Sequence, residues 1–336
     1  MVRSNKVKLF YKILHNVAAF REINLIGIIL TLGIVLTVFT PSFLSVMNLR
    51  SVSIGFATNC ITVIGMALVI ICGGIDLAVG SVLSLSCALS TVLFVQGVPF
   101  PIASVAGIGI SVLCGVFNGV LIAYYDMAPF IVTMSMMYIA RGLGYILTTG
   151  TSIALVNKLP DWFRFIGSGI IGKNIPFLVV LCVLIGIIAD VMFRKSPLLR
   201  LAYYVGSNTK AAAFSGINVR RVKLVVYVIS GLLAGIAGQM TLSRFSYSSP
   251  VFGNGLEMTM IASCVIGGVS MEGGEGTVLG SMFGVVLLSL ISNGLILLNV
   301  SVYWQQFISG CILIIAVSLD YFRVRRAAHK LEQHKG

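Results

Sequence analysis

Charge is what this chain has least of. Only 10% of its 336 residues are Asp, Glu, Lys or Arg, against about 25% in a soluble domain, and mean hydropathy is +1.04. So little polar surface cannot clothe a water-soluble body, and no polar segment is long enough to bury a core of its own. Histidine is nearly absent: His15, His329 and His334 all lie in polar tails. There is no GxxxxGK[ST], so the chain carries no P-loop; there is no HExxH or GxSxG, and the glycine run Gly273-Gly274-Glu275-Gly276 does not fit GxGxxG and follows no strand pattern. An enzyme reading therefore has no nucleophile–base pair to rest on. Seven cysteines (Cys60, Cys72, Cys87, Cys114, Cys182, Cys264 and Cys311) sit in or beside apolar runs, form no CxxC pair and have no histidine nearby. They read as small packing residues, not as a zinc site or a disulfide frame.

Acidic residues are also scarce, 10 against 23 Lys+Arg, for a net charge of +13. The location of the basic residues excludes a nucleic-acid surface as the explanation. Arg3, Lys6, Lys8, Lys12 and Arg21 precede the first apolar run. Arg194, Lys195, Arg200, Lys210, Arg220, Arg221 and Lys223 share one central loop. Arg323, Arg325, Arg326, Lys330 and Lys335 fill the C-terminal tail. Basic residues gathered at the ends of apolar runs are the signature of membrane topology.

What the chain has in abundance is apolar runs. A crossing helix needs about 20 apolar residues, and ten segments approach that: 23–40, 51–72, 79–96, 100–125, 128–149, 175–193, 224–242, 256–270, 277–298 and 302–320. The third opens on turn residues and the eighth is short. The runs are continuously apolar, without the alternation of barrel strands. The first run ends in Thr40-Pro41-Ser42-Phe43 without a small-residue cleavage site, so it reads as a retained span. With the N-terminus in the cytoplasm, the basic loop 194–223 and the basic tail fall on the same side. The expectation is an all-α, polytopic transmembrane bundle of about ten spans with both termini cytoplasmic. It divides into a tail (1–22), a membrane domain (23–320) and a second tail (321–336), in contact with membrane lipid. Segment 150–174 then lies outside, with Trp162 and Phe163 placed to rest in the interface. Glycines four apart, Gly115–Gly119, Gly231–Gly235 and Gly280–Gly284, predict closely packed helices.

Few polar residues interrupt the spans. Asp76 sits among Gly73, Gly74 and Gly80, between two apolar runs. A carboxylate there faces protein or a water-filled path, and broken backbone at membrane depth is tolerated only inside protein or along a cavity. Two readings stand: a position at the translocation path or its gate, and a hinge where Asp76 caps the helix that follows. Arg141 reads as a path residue or as an anchor at the outer interface. Asn118 and Asn293 are candidates for the path, or for holding helices together. Glu257 opens the eighth run, where it favours a helix N-terminus. In the central loop, Asn208 is placed to cap a short helix through Ala211–Phe214, and Gly216 to end it. A short helix with a small-residue face, among basic residues, suits the docking of a soluble partner.

Several of these elements fall in the order seen in one family. Gly73–Ser81 resembles GGIDLSVGS, with Ala78 in place of Ser. Phe130-Ile131-Val132-Thr133-Met134, then Arg141-Gly142, resembles F-x-A-T-L followed by R-G. Ser215-Gly216-Ile217-Asn218-Val219 matches SGINV. Gly255-Leu256-Glu257, Gly267-Gly268-Val269-Ser270, Gly273-Gly274 and Asn293-Gly294 complete the set. From about residue 45 to 320 the chain resembles the permeases of ribose-type ATP-binding-cassette importers, which serve ribose, xylose, arabinose, galactose and autoinducer-2. The resemblance implies a transport subunit of a bacterial inner membrane, not an enzyme, that moves a small sugar-like solute. It holds no cofactor of its own; ATP is bound by a partner ATPase. Further partners are a second permease, a copy or a paralogue, and an extracytoplasmic solute-binding protein. It puts Asp76 and its glycines near the path, and Asn208, Lys210, Ala211, Ala212, Ser215, Gly216 and Ile217 at the ATPase-coupling surface. Lys210, Glu272 and Glu275 depart from the family pattern. An ion-coupled secondary carrier is the competing reading. Such carriers place ionisable residues at mid-membrane, and here Asp76 is the one plausible case.

Overall fold

The computed structural model describes residues 21–333; residues 1–20 and 334–336, with the expected basic cluster from Arg3 to Lys12, His15, His334 and Lys335, lie outside the described residues. Helix accounts for 76% of the structure. In chain order the helices are α1 (Arg21–Phe39), α2 (Val46–Ile71), α3 (Val79–Val95), α4 (Phe100–Tyr124), α5 (Pro129–Thr148), α6 (Asp161–Ser168), α7 (Phe177–Lys195), α8 (Pro197–Ser207), α9 (Thr209–Phe214), α10 (Val219–Phe245), α11 (Leu256–Ile266), α12 (Val278–Leu297) and α13 (Val302–Gln333). Seven of them, α1, α2, α4, α5, α7, α10 and α12, are long and apolar enough to cross a membrane. Val79–Val95, Leu256–Ile266 and Tyr303–Ile315 are shorter apolar helices.

Two features depart from the all-helical expectation. Two-residue strands β1 (Ile153–Ala154) and β4 (Tyr247–Ser248) pair antiparallel, as do β2 (Ile170–Ile171) and β3 (Ile175–Pro176). They staple the connections around α6, and strands this short leave no apolar run to read in the sequence. The central loop, expected to hold one short helix, holds two, α8 and α9. In α6 Phe163 is buried while Trp162 is 54% exposed.

The bundle is built around α2 and α10. From Ala57 to Ile71 nearly every α2 side chain is buried, whereas α1 exposes Ile28, Leu30, Ile34 and Val38 on its flank. An apolar outer face on α1 suits a lipid solvent, while α2 fills the interior mostly with large apolar side chains such as Ile61, Ile64, Leu68 and Ile70. The glycine pairs explain the close approach. A Cβ on Gly115 would lie 2.5 Å from the Tyr227 carbonyl oxygen, and one on Gly231 would lie 2.4 Å from that of Ser111, so α4 and α10 touch backbone to backbone. Gly284 meets the Ser263 carbonyl in the same way, joining α12 to α11.

One polar cluster lies inside the bundle. Gln239 on α10 donates to the Ser86 hydroxyl (2.8 Å) and the Ser90 hydroxyl (2.9 Å) on α3, and accepts from Ser104 on α4 (2.9 Å). Interhelical hydrogen bonds of this kind contribute about 0.6 kcal/mol each, at most about 1.7. Gln239→Leu removes all three, and we expect a loss of roughly 2 kcal/mol, read as a lowered midpoint of thermal unfolding in detergent.

Candidate functional site

The chain breaks its helices at two glycine turns, and the fold brings them together. The first, Gly73–Ala78, joins α2 to α3; the second, Gly267–Thr277, joins α11 to α12. Gly73 (φ +82°) and Gly273 (φ +84°) adopt left-handed backbone, a conformation glycine takes without a steric penalty. A Cβ on Gly273 would lie 3.1 Å from the Gly73 Cα. Gly206, in the last turn of α8, closes the contact from a third side. A Cβ there would lie 1.8 Å from the Ile71 carbonyl oxygen and 2.8 Å from the Gly274 nitrogen. The Gly274 N–H donates to that same Ile71 carbonyl at 2.8 Å. Tyr203 on α8 donates to the Gly276 carbonyl at 3.1 Å. Burial pushes its hydroxyl above the usual tyrosine range; the nearby Asp190 carboxylate adds to this and Arg194 opposes it.

Asp76 is 4% exposed. Its Oδ2 accepts from the Ser230 hydroxyl on α10 (2.7 Å), and its Oδ1 accepts from the Ala78 N–H (3.0 Å), next to the first residue of α3. The neighbouring Ile75 carbonyl accepts from Thr133 on α5 (3.3 Å) and from Tyr227 on α10 (3.4 Å). The Tyr227 hydroxyl fills the space over Gly74, where a Cβ would come within 2.4 Å. Two helices thus hold the turn. Gly80 packs against the Gly253 backbone, 2.0 Å from its carbonyl oxygen were a Cβ added.

Arg141 is not part of this cluster. Its Nη1 donates to the carbonyls of Pro250 (2.6 Å) and Phe252 (2.7 Å), tying α5 to the connection before α11. Asn118 is buried on α4, and its Oδ1 has no hydrogen-bond partner among the described residues. Asn293 on α12 exchanges two hydrogen bonds with Asn48 on α2 (2.8 and 3.1 Å). The candidate path residues therefore divide: Gly73, Gly74 and Asp76 share one turn, while Gly80, Arg141, Asn118 and Asn293 sit elsewhere in the bundle.

The central-loop residues form one unit. The Asn208 side chain accepts from the Ala211 N–H at 2.9 Å and caps α9. Gly216, at φ +81°, ends it, and the Ile217 N–H returns to the Ala212 carbonyl at 3.1 Å. Ala212 is buried, whereas Phe214 is 93% exposed. Ser215 donates back to the Ala211 carbonyl (2.9 Å), and Lys210 points outward. Reading the sequence singled out neither Phe214 nor Gly206 nor Ser230 as functional. Phe214 alone left a visible mark there, an aromatic closing a helix of alanines in a basic loop.

Residues 48–317 match the family described as the permease component of branched-chain amino acid transport systems. The chain is 38% identical over 289 residues to the ribose import permease of Bacillus subtilis, covering 86% of this chain and 89% of that one. It is 34% identical over 300 residues to the ribose import permease of Escherichia coli K12, covering 88% and 92%. It is 32% identical over 299 residues to the D-allose transport system permease of the same strain, covering 88% and 90%. No solved structure matches.

Proposed function

The chain belongs to this family of transport-system permeases, and from that premise we propose that it imports a small sugar through a bacterial inner membrane at the expense of ATP hydrolysed by a partner. The relatives named for ribose and allose support a sugar over an amino acid. Ten crossings is the reading in which the three shorter apolar helices join the seven long ones in the membrane. An even count puts both termini and the loop bearing α9 in the cytoplasm, as the positive-inside rule favours. A second permease, a copy or a paralogue, completes the membrane part, and an extracytoplasmic binding protein delivers the solute.

The observation that carries this reading is the mounting of α9. Its N-cap, Asn208, directly follows Gly206 and Ser207, and Gly206 is in backbone contact with the end of α2 and with the turn before α12. A partner that displaces α9 therefore pushes on two membrane helices at once. ATP can drive transport only by biasing two states of the bundle, and this junction is a route for that bias. Phe214 supplies the grip, because an aromatic side chain exposed on a short helix gains by entering a pocket of the ATPase.

Phe214→Asp is expected to weaken ATPase association by at least about tenfold, a loss of about 1.4 kcal/mol or more, as for an aromatic anchor. Co-purification of the ATPase with the tagged permease checks this. The fold should survive, since the side chain touches little of its own chain. Retention of the ATPase at wild-type stoichiometry would remove α9 as the docking element.

A further inference from the structure

A cavity of about 430 Å³ opens between α2, α10, α11 and α12, away from the glycine junction. Its volume is within the range of about 300–1,000 Å³ typical of small-molecule sites. Its wall is mainly apolar, interspersed with hydroxyls and amides, and carries two aromatic rings, Phe245 and Phe252, and a single charged residue, Arg244; no Asp or Glu contributes.

Three of the polar groups lack protein partners. Thr58 is 7% exposed, and its Oγ1 has no hydrogen-bond partner. Among the described residues the Asn59 amide, one position along, has no hydrogen-bond partner, and the Arg244 guanidinium has neither a hydrogen bond nor an ion pair. The Arg244 guanidinium lies over the Phe245 ring, 4.7 Å from its centroid. The buried Thr58 hydroxyl, left unsatisfied by the protein, calls for a partner that supplies the missing atom, and the half-buried Asn59 and Arg244 hold donors beside it. The contrast lies beside them: the Asn293 amide, on the same wall, is fully engaged with Asn48.

We propose that this cavity is a solute site contained within one protomer, and that it takes an uncharged, hydroxyl-rich molecule the size of a monosaccharide. Arg244 and Asn59 donate to the hydroxyls, and the Thr58 hydroxyl donates or accepts. The rings of Phe245 and Phe252, which stack 5.4 Å apart at 29°, offer apolar surface to the C–H face of a sugar. A cationic solute finds no carboxylate here, and a coupling ion finds no acidic ligand. The proposal rests on the sugar-importer reading and gives it a place for the solute.

Gly55 provides the test, because it lines the cavity and a Cβ added there meets nothing within 4 Å. Gly55→Ala, Gly55→Leu and Gly55→Trp fill the space in steps. The complete transporter, with ATPase and binding protein, is reconstituted in vesicles and supplied with radiolabelled ribose, allose and myo-inositol. Uptake is expected to fall with each increase in side-chain size, to less than about a tenth of the wild-type rate for Gly55→Trp. In equilibrium dialysis of the purified permease–ATPase complex with the transported solute, Asn59→Leu and Thr58→Val are each expected to raise the apparent Kd about tenfold. A Gly55→Trp transporter that assembles and imports at the wild-type rate overturns the site and leaves the importer reading standing. If Gly55→Trp fails to assemble, dialysis decides, and unchanged affinity in both polar variants overturns the site. Wild-type vesicles that take up none of the three solutes with ATP, nor xylose, arabinose or galactose, would remove the sugar-importer reading itself, and this site with it.

Discussion

A single methyl group at position 206 is expected to abolish transport. Gly206→Ala places a Cβ 1.8 Å from the Ile71 carbonyl oxygen, 2.9 Å from the carbonyl carbon behind it and 2.8 Å from the Gly274 nitrogen. All three obstacles are backbone, so no rotamer change relieves the clash. Either α8 withdraws from α2 and the second glycine turn, or the hydrogen bond from Gly274 to Ile71 breaks. Forced overpacking costs about 1–3 kcal/mol and sometimes more, and here the cost falls on the backbone contact by which α8 meets the end of α2 and the second glycine turn. The expected result is loss of uptake with reduced recovery of the permease–ATPase complex. Gly142→Ala is the matched control. It is a glycine inside α5 with nothing within 4 Å of an added Cβ, where alanine gains about 1 kcal/mol of helix propensity. Vesicle uptake and complex yield, measured side by side, separate the two.

The second large effect is expected at Asp76. Asp76→Asn keeps an oxygen to accept from the Ala78 N–H, but it sets an NH2 group where Oδ2 met the Ser230 hydroxyl. Ser230 takes one of those hydrogens, and the other is left buried at a position only 4% exposed. An unsatisfied buried donor costs about 1–3 kcal/mol, which is a factor of roughly five to 150 in any equilibrium that needs the turn intact. Uptake should fall by at least that lower factor while the complex still assembles. Asp76→Leu orphans both the Ala78 N–H and the Ser230 hydroxyl, and assembly should fail as well. Full uptake by Asp76→Asn would show that the carboxylate has no part in the cycle. Whether Asp76 works as a helix cap or beside the path, its partners are fixed: the turn itself and α10.

Much of this was legible in the sequence because membrane constraints are written in composition. The apolar runs forecast the long helices, the glycine spacings forecast close helix packing though not which helices meet, and Asn208 and Gly216 marked the ends of α9. The unread parts share a physical cause. The meeting of the two glycine turns joins residues some two hundred positions apart, and nothing local at Gly206 distinguishes it from a loop glycine. The short strands carry no periodicity. Ser230 and Gln239 were hidden in a 27-residue helix, where a lone hydroxyl or amide reads as incidental until its partners on other helices are known. The cavity residues Thr58, Asn59 and Arg244 come from two helices and matter through what they do not touch, which no sequence pattern records.

The central claim is that ATP, acting through α9, drives a sugar inward. The most direct test is uptake by vesicles holding the purified permease and its ATPase, with binding protein and labelled ribose or allose outside and ATP trapped inside. The account predicts accumulation that requires internal ATP, persists when proton and sodium gradients are collapsed, and is lost with Phe214→Asp. Accumulation that proceeds without ATP and stops when the ion gradient is removed would contradict it, and would make the chain an ion-coupled carrier.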